Sequence, residues 1–293
     1  MEKIYALFLI FIALAVAAPA LADVPLDEED PYFLLMGEAD KAIKDEDYPT
    51  AVARLKEALA VDSERPSNAL LLSNLGMVYS RMGQDSLAIA TLGRALELAP
   101  SMSVVLTNRG RIHLKLGHNA EAYSDFTQAL RRDSLSADAR YLHGLMSLYG
   151  GDAGIAEQDF KVLESVDPDG YNTQAALGAL YSLTARERQA IPYYKKLIEL
   201  DPSAEYYSAL AGCYLALGDL SEASETIAAG LAKYDKDPEL YYYRAMLNRD
   251  RYRLDDAHDD AELALRYGAS PVRVRALFTR TNSNSPGKKD KQQ

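Results

Sequence analysis

Residues Ala69–Met102 read ALLLSNLGMVYSRMGQDSLAIATLGRALELAPSM, and this stretch decides the fold. Leu75-Gly76 comes first, followed by Tyr79, Gly83, Ala88, Leu92, Ala95 and Pro100. Apolar residues recur at helical spacing on both sides of Gly83, which predicts two amphipathic helices joined by a tight turn.

The unit is repeated. At the place of Ala88 stand Ala51, Ala88, Ala122, Ala156, Ala190, Ala223 and Ala257, separated by 37, 34, 34, 34, 33 and 34 residues. Twelve residues before each stands Ala39, Gly76, Gly110, Gly144, Gly178, Ala211 or Ala245, always glycine or alanine. Small residues at two fixed places let helices approach closely, where longer side chains would push them apart. The place of Leu92 holds Leu55, Leu92, Phe126, Phe160, Tyr194, Ile227 and Ala261, large in six copies of the seven. These large side chains fill the space that the small residues leave.

This pattern resembles the tetratricopeptide repeat family: Leu-Gly, an aromatic three residues on, a turn glycine, alanine, a large residue, alanine and proline. The resemblance covers about Tyr32 to Pro271 in seven phased copies. It implies that each unit is a hairpin of helix A and helix B. The expected fold is all-α, a right-handed superhelical solenoid of about seven helix-turn-helix repeats over residues 32–271. No unit buries both of its faces alone, so neighbours share the stability.

Departures from the pattern fall at the ends and at two joints. The first copy has Ala42 at the aromatic place and Glu46 at the turn, and Arg65-Pro66-Ser67-Asn68 lengthens its exit loop. Pro192 lacks an amide donor, which predicts that the fifth helix B starts late or bends there. Gly230 stands where Ala95 does, at a helix-propensity cost of ~1 kcal/mol. The seventh copy has Asn248 at the aromatic place and Tyr252 at the turn. Val272–Arg280 (VRVRALFTR) is expected to cap the last apolar face as a short helix. The polar tail at residues 281–293 is expected to be disordered.

Met1–Ala22 reads as a cleaved secretory signal: Lys3, an apolar run from Ile4 to Ala18, and small residues Ala20 and Ala22. An uncleaved anchor is the alternative, although the run is short of the ~18–20 residues that span a bilayer. The acidic segment at residues 23–31 leads into the array, with Asp30 or a neighbour as helix cap. The lone Cys213 allows no intramolecular disulfide and no lipidation near the cleavage site. Packing alone must hold the fold. No N-x-Ser/Thr sequon occurs, and the C-terminus is not an ER-retention signal, which favours a bacterial periplasm over a eukaryotic secretory route.

Composition and motifs argue against chemistry. A net charge of −11 opposes sequence-independent nucleic-acid binding. His113, His118, His143 and His258 stand in no metal-ligand spacing, and His113 and His143 occupy packing places. Gly150-Gly151-Asp152-Ala153-Gly154 lacks the following Lys-Ser/Thr of a phosphate loop and falls at a turn. The pairs Asp255-Asp256 and Asp259-Asp260 lie on an amphipathic helix B, where carboxylates normally face water. Cys213 reads as a small core residue. No enzyme, cofactor or metal is expected.

The candidate site is therefore a surface. The resemblance places one face of each helix A on a concave groove. In the second unit this gives Ser73, Met77, Ser80 and Arg81, and in the third Thr107, Arg111, Leu114 and Lys115. The fourth gives Tyr141, Leu145, Leu148 and Tyr149; the fifth, Ala175, Ala179, Ser182 and Leu183; the seventh, Tyr242, Met246, Arg249 and Asp250. Such a groove begins basic (Arg81, Arg111, Lys115) and turns aromatic and apolar (Tyr141, Leu145, Tyr149), which suits an extended peptide with an acidic stretch and an apolar anchor. The bland reading is that the bases keep the surface soluble and the tyrosines pack on neighbouring helices. Some family members clamp a partner's C-terminal carboxylate; here the matching first-unit residues are Met36 and Asp40, and Asp40 would repel it. The expected function is a non-catalytic protein–protein interaction scaffold of the bacterial envelope, periplasmic or secreted, with no stable membrane span after signal cleavage. The alternative is a small-ligand receptor that takes a glycan or peptide on a tyrosine-lined interior.

Overall fold

The computed structural model describes residues 30–63 and 65–278. The signal segment, the acidic residues 23–29 and the tail beyond residue 278 lie outside the described residues. Within them are fifteen helices and no strand. Seven antiparallel pairs succeed one another: α1 (Pro31–Lys44) with α2 (Tyr48–Val61), α3 (Asn68–Arg81) with α4 (Asp85–Leu98), α5 (Ser103–Lys115) with α6 (Asn119–Arg132), and α7 (Ala137–Tyr149) with α8 (Ala153–Val166). Then follow α9 (Tyr171–Leu183) with α10 (Glu187–Leu200), α11 (Ala204–Leu217) with α12 (Leu220–Lys233), and α13 (Pro238–Asp250) with α14 (Leu254–Arg266). A last helix, α15, spans Pro271–Phe278.

The repeat places do what their residue types require. All seven alanines of the Ala88 place are fully buried. The large residues sixteen positions after the first six small ones are buried as well, with Leu92, Phe126 and Phe160 wholly inaccessible. A Cβ added to Gly110 would fall 2.6 Å from Cε1 of Phe126, and one added to Gly76 would fall 2.8 Å from Cγ of Leu92. Glycine is used where the facing side chain leaves no room for a methyl group.

Every helix A ends the same way. The residue after its last turn is left-handed in all seven copies: Glu46, Gly83, Gly117, Gly151, Ala185, Gly218 and Tyr252. The next amide donates back to the carbonyl five residues earlier, as Gln84 N does to Tyr79 O (2.8 Å) and Arg253 N to Asn248 O (2.8 Å). That is the hydrogen-bonded closure that satisfies helix C-terminal carbonyls. The sequence marks this turn by glycine in four copies only; the backbone geometry persists in the three that lack it.

The chain divides into two compact units at His143/Gly144. In the first, Tyr32, Leu55, Leu71, Leu92 and Ile112 anchor a shared apolar core. Asp30 caps α1 by accepting from Tyr32 N at 2.9 Å. The longer exit loop has a role here. Its Arg65 binds Asp30 (3.0 Å) and lies over the Tyr32 ring (4.2 Å), which closes the first hairpin.

In the second unit, Tyr194, Leu197, Leu210 and Ile227 form one cluster, and Ala245, Ala261, Val274 and Leu277 form another. In the second cluster, α15 lays Val274 and Leu277 on the last hairpin. It begins one residue before the predicted segment, and residues 279–280 lie outside the described residues.

One expectation is corrected in part and another is extended. Helix α10 begins at Glu187 and runs unbroken past Pro192, so of the two outcomes expected there the late start does not occur. Pro192 gives up a single backbone bond, while Ala190, Tyr194 and Leu197 bury the same face on either side of it. Gly230 is also more than a propensity loss. A Cβ there would lie 2.9 Å from both Leu240 Cδ1 and Tyr207 Cβ, so its absence admits those side chains.

Candidate functional site

Two of the three basic residues of the expected groove, Arg111 and Lys115, are paired within the fold. Arg111 lies 3.0 Å from Asp138. Lys115 lies 2.8 Å from Asp85 and donates to the Ser80 carbonyl at 3.0 Å. Ser80 donates to the same Asp85 oxygen at 2.7 Å. Burial pulls the Asp85 carboxyl upward, but hydrogen bonds from Lys115 and Ser80 outweigh it and hold the carboxyl below its ordinary value. Arg81 is exposed at the end of α3.

Several other candidates are packing residues. Ser73 is 2% exposed and accepts from Asn108 Nδ2 at 3.0 Å. Thr107 is 3% exposed and donates to the Ser103 carbonyl at 2.9 Å. Met77 and Leu145 are buried. These four cannot offer a surface to a partner. Adjacent helices lie close enough at these places for short side chains to be covered, which the repeat spacing alone does not reveal.

The second unit keeps more of its helix-A face accessible. Tyr149 and Ala175 are half-buried, as is Ala179, and Leu183 is 59% exposed. Tyr242 and Met246 are half-buried but pack against α15, whose Arg273 lies 4.3 Å above the Tyr242 ring. Tyr141 of the first unit is half-buried.

Electrostatics in the second unit differ from those expected. Glu205, in the first turn of α11, is exposed, yet burial raises its carboxyl above the ordinary value. Its charge acts on three tyrosines. Burial raises the hydroxyls of Tyr149, Tyr171 and Tyr194, and Glu205 adds to each shift. Tyr171 and Tyr206 share a short hydroxyl–hydroxyl hydrogen bond, and Tyr194 pairs with Ser182 at 3.0 Å. The sequence did carry a signal for Glu205: it stands at the same helix-A place as Asp138 and Glu239.

Groups that invite a catalytic reading are structural. Asp260 is 4% exposed and does not face water; it accepts from Arg244 Nε (2.9 Å) and Asn248 Nδ2 (2.8 Å). Arg109 and Asp125 make the same bidentate pair sixteen residues apart, and at those places in the first repeat Arg54 Nε lies 2.8 Å from Glu38, an ion pair with the charges exchanged. Asp255, Asp256 and Asp259 are exposed. His143 stacks on Tyr123 with centroids 4.5 Å apart, and His258 on Phe278 at 4.1 Å. Burial pushes the Cys213 thiol up to about 11, which keeps it protonated and unreactive. No group of three or more His, Cys, Asp or Glu is arranged to hold a metal among the described residues. A cavity of about 210 Å³ lies against Ile227, Leu247, Asn248 and Arg253, away from the tyrosine wall.

Models of the tetratricopeptide repeat match residues 36–103, 107–170 and 185–247. The chain belongs to the tetratricopeptide repeat family. Its fold is the all-α repeat solenoid of that family, which serves generally as a protein–protein interaction scaffold. A tetratricopeptide repeat protein from Parabacteroides merdae is similar at 22% identity and a TM-score of 0.59, over 84% of this chain and 97% of that one. PilW, a type IV pilus biogenesis factor, matches at 22% identity and 0.61, over 72% and 97%. PilF of Pseudomonas aeruginosa matches at 18% and 0.65, over 73% and 97%. No curated protein matches this sequence significantly. No helix among the described residues is long and apolar enough to cross a membrane.

Proposed function

We propose that this tetratricopeptide repeat protein is a non-catalytic adaptor of the bacterial cell envelope that holds an extended segment of another protein along its helix-A wall. One observation carries the reading. In the second unit, Tyr149, Ala175, Ala179, Leu183 and Glu205 remain accessible on successive A helices, while Cys213 and Asp260 are buried in packing. Flat aromatic and small apolar groups beside a charge suit an extended chain, which offers alternating side chains and little volume. The envelope location rests on residues 1–22 alone, whose charge, apolar run and small residues fit an export signal.

The export half is tested by expressing the full chain in a bacterium and measuring the intact mass of the periplasmic product. A species beginning at Asp23 supports it; a full-length cytoplasmic species sinks it. The binding half is tested by site-specific photocrosslinking from position 183 in cells, against the exposed Glu225 position on α12. Discrete adducts from position 183 and none from 225 are expected. Equal labelling from both would remove the helix-A wall as the binding face.

A further inference from the structure

Three A helices carry a carboxylate at corresponding first-turn places: Asp138, Glu205 and Glu239. Two of the three hold a guanidinium from another helix. Arg111 Nη2 lies 3.0 Å from Asp138. Arg273 of α15 donates from Nη1 to both Glu239 oxygens (2.8 and 2.6 Å), and its guanidinium covers the Tyr242 ring at 4.3 Å. Glu205 makes no ion pair or side-chain hydrogen bond among the described residues. The reason is in the register: thirty-four residues after Glu239 stands Arg273, whereas thirty-four after Glu205 stands Glu239.

We propose that Glu205, with Tyr149, Tyr171 and Tyr206 around it, is the docking point for an arginine side chain of the bound segment. The inference rests on the helix-A wall as binding face and names the chemistry of its occupant, in place of the acidic segment that the basic residues of the first unit suggested. Arginine satisfies both features of the place: its planar fork pairs with a carboxylate in bidentate fashion, and its face stacks on tyrosine rings. One repeat further on, Arg273 pairs with Glu239 and covers the Tyr242 ring; the Glu205 repeat has Ser208 at the place of Tyr242, so there the rings come from Tyr149 and Tyr171 of preceding A helices. Glu205 is exposed at the first turn of α11, so a side chain of a bound segment can reach it. A net charge of −11 steers a basic segment toward the chain and an acidic one away.

The test uses the full chain and fluorescein-labelled nonapeptides of sequence Gly-Ser-Ala-Leu-X-Leu-Ala-Ser-Gly, with X as Arg, Gln or Glu, read by fluorescence polarisation. The Arg peptide is expected to bind about tenfold tighter than the Gln peptide, the scale of one charge-assisted pair. The Glu peptide should bind weakest. Glu205→Gln, which removes no partner and should fold at least as stably, is expected to abolish the Arg advantage. Glu205→Arg should reverse the order in favour of Glu. Equal binding of Arg and Gln peptides to the wild type, or an Arg advantage that survives Glu205→Gln, overturns the proposal. If Tyr149→Ser then weakens all three peptides alike, the helix-A wall stands without it. Failure of every peptide to bind overturns both.

Discussion

Gly110 lies so close to the ring of Phe126 that a methyl group in its place would sit 2.6 Å from Cε1. The two residues are sixteen positions apart, on α5 and α6, and the same pairing recurs in each repeat. Where the facing residue is Leu55, Ile227 or Ala261, the small partner is alanine; where it is Phe126, Phe160 or Tyr194, the partner is glycine, as it also is opposite Leu92. Gly110→Ala should therefore overpack the hairpin and cost ~1–3 kcal/mol. Adding Phe126→Leu should recover part of that loss. Urea denaturation of both single variants and the double variant measures the coupling; additive effects would show that the two sites do not share the space.

The left-handed turn residues offer a gain. Ala185 (φ 54°) and Tyr252 (φ 59°) adopt a conformation that costs non-glycine residues ~1–2 kcal/mol. Tyr252 is 90% exposed, so little packing is lost with it. Ala185→Gly and Tyr252→Gly should each stabilise by ~0.5–1 kcal/mol, after the greater unfolded-state freedom of glycine is subtracted. Gly117→Ala should act in the opposite sense. Melting temperatures of the three variants decide the point.

Arg244 and Asp260 form an ion pair whose acidic partner is almost wholly buried. Arg244→Met strands that carboxylate. Breaking a fully buried pair costs ~3–5 kcal/mol, and the partly exposed arginine lowers the expectation to ~2–4 kcal/mol. Arg244→Met combined with Asp260→Leu should cost less than Arg244→Met alone. A double variant as unstable as the sum of the single ones would contradict this account.

Glu205 predicts a pH dependence of opposite sign to that of ordinary paired carboxylates. Burial raises its folded value above the unfolded one, so the folded state takes up a proton first. The stability that this adds is complete below the unfolded value of about 4.3 and is lost as pH rises through the folded value. Glu205→Gln should match the wild type at acid pH and exceed it at neutral pH. A difference that is flat across pH, or one that favours the wild type at pH 7, would refute the assignment.

Cys213 is buried, and its thiol is held near 11 by desolvation, with a smaller contribution from Glu187. It should resist Ellman's reagent in the native protein at pH 8 and react fully in guanidinium chloride. Rapid labelling of the native chain would place it at the surface.

Much of the fold was legible because its information is periodic. Seven alanines, seven small residues and six large ones, at steps near thirty-four, suffice to fix helix pairs and their packing faces. The turn at Ala185 and the pairs Glu38–Arg54, Arg109–Asp125 and Arg244–Asp260 were less visible. There, the geometry is kept while the residue types change, so a pattern of residue types misses it. Two opposite charges sixteen residues apart at the same repeat places were the available signal.

The candidate site was legible only as a set of positions. The sequence by itself determined the register of each helix A and its packing face, through helical periodicity and small-residue spacing; the face assigned to a groove came from the family resemblance. Only the tertiary structure decided which of those residues are accessible and which charges remain to be met. Ser73, Met77, Thr107 and Leu145 are covered by adjacent helices, and Arg111 and Lys115 are matched by Asp138 and Asp85. Glu205 meets no such partner, because the neighbouring repeat places Glu239 at the position from which a base would reach it. Burial and pairing depend on which side chains adjacent repeats bring together, and that is a property of the packed array.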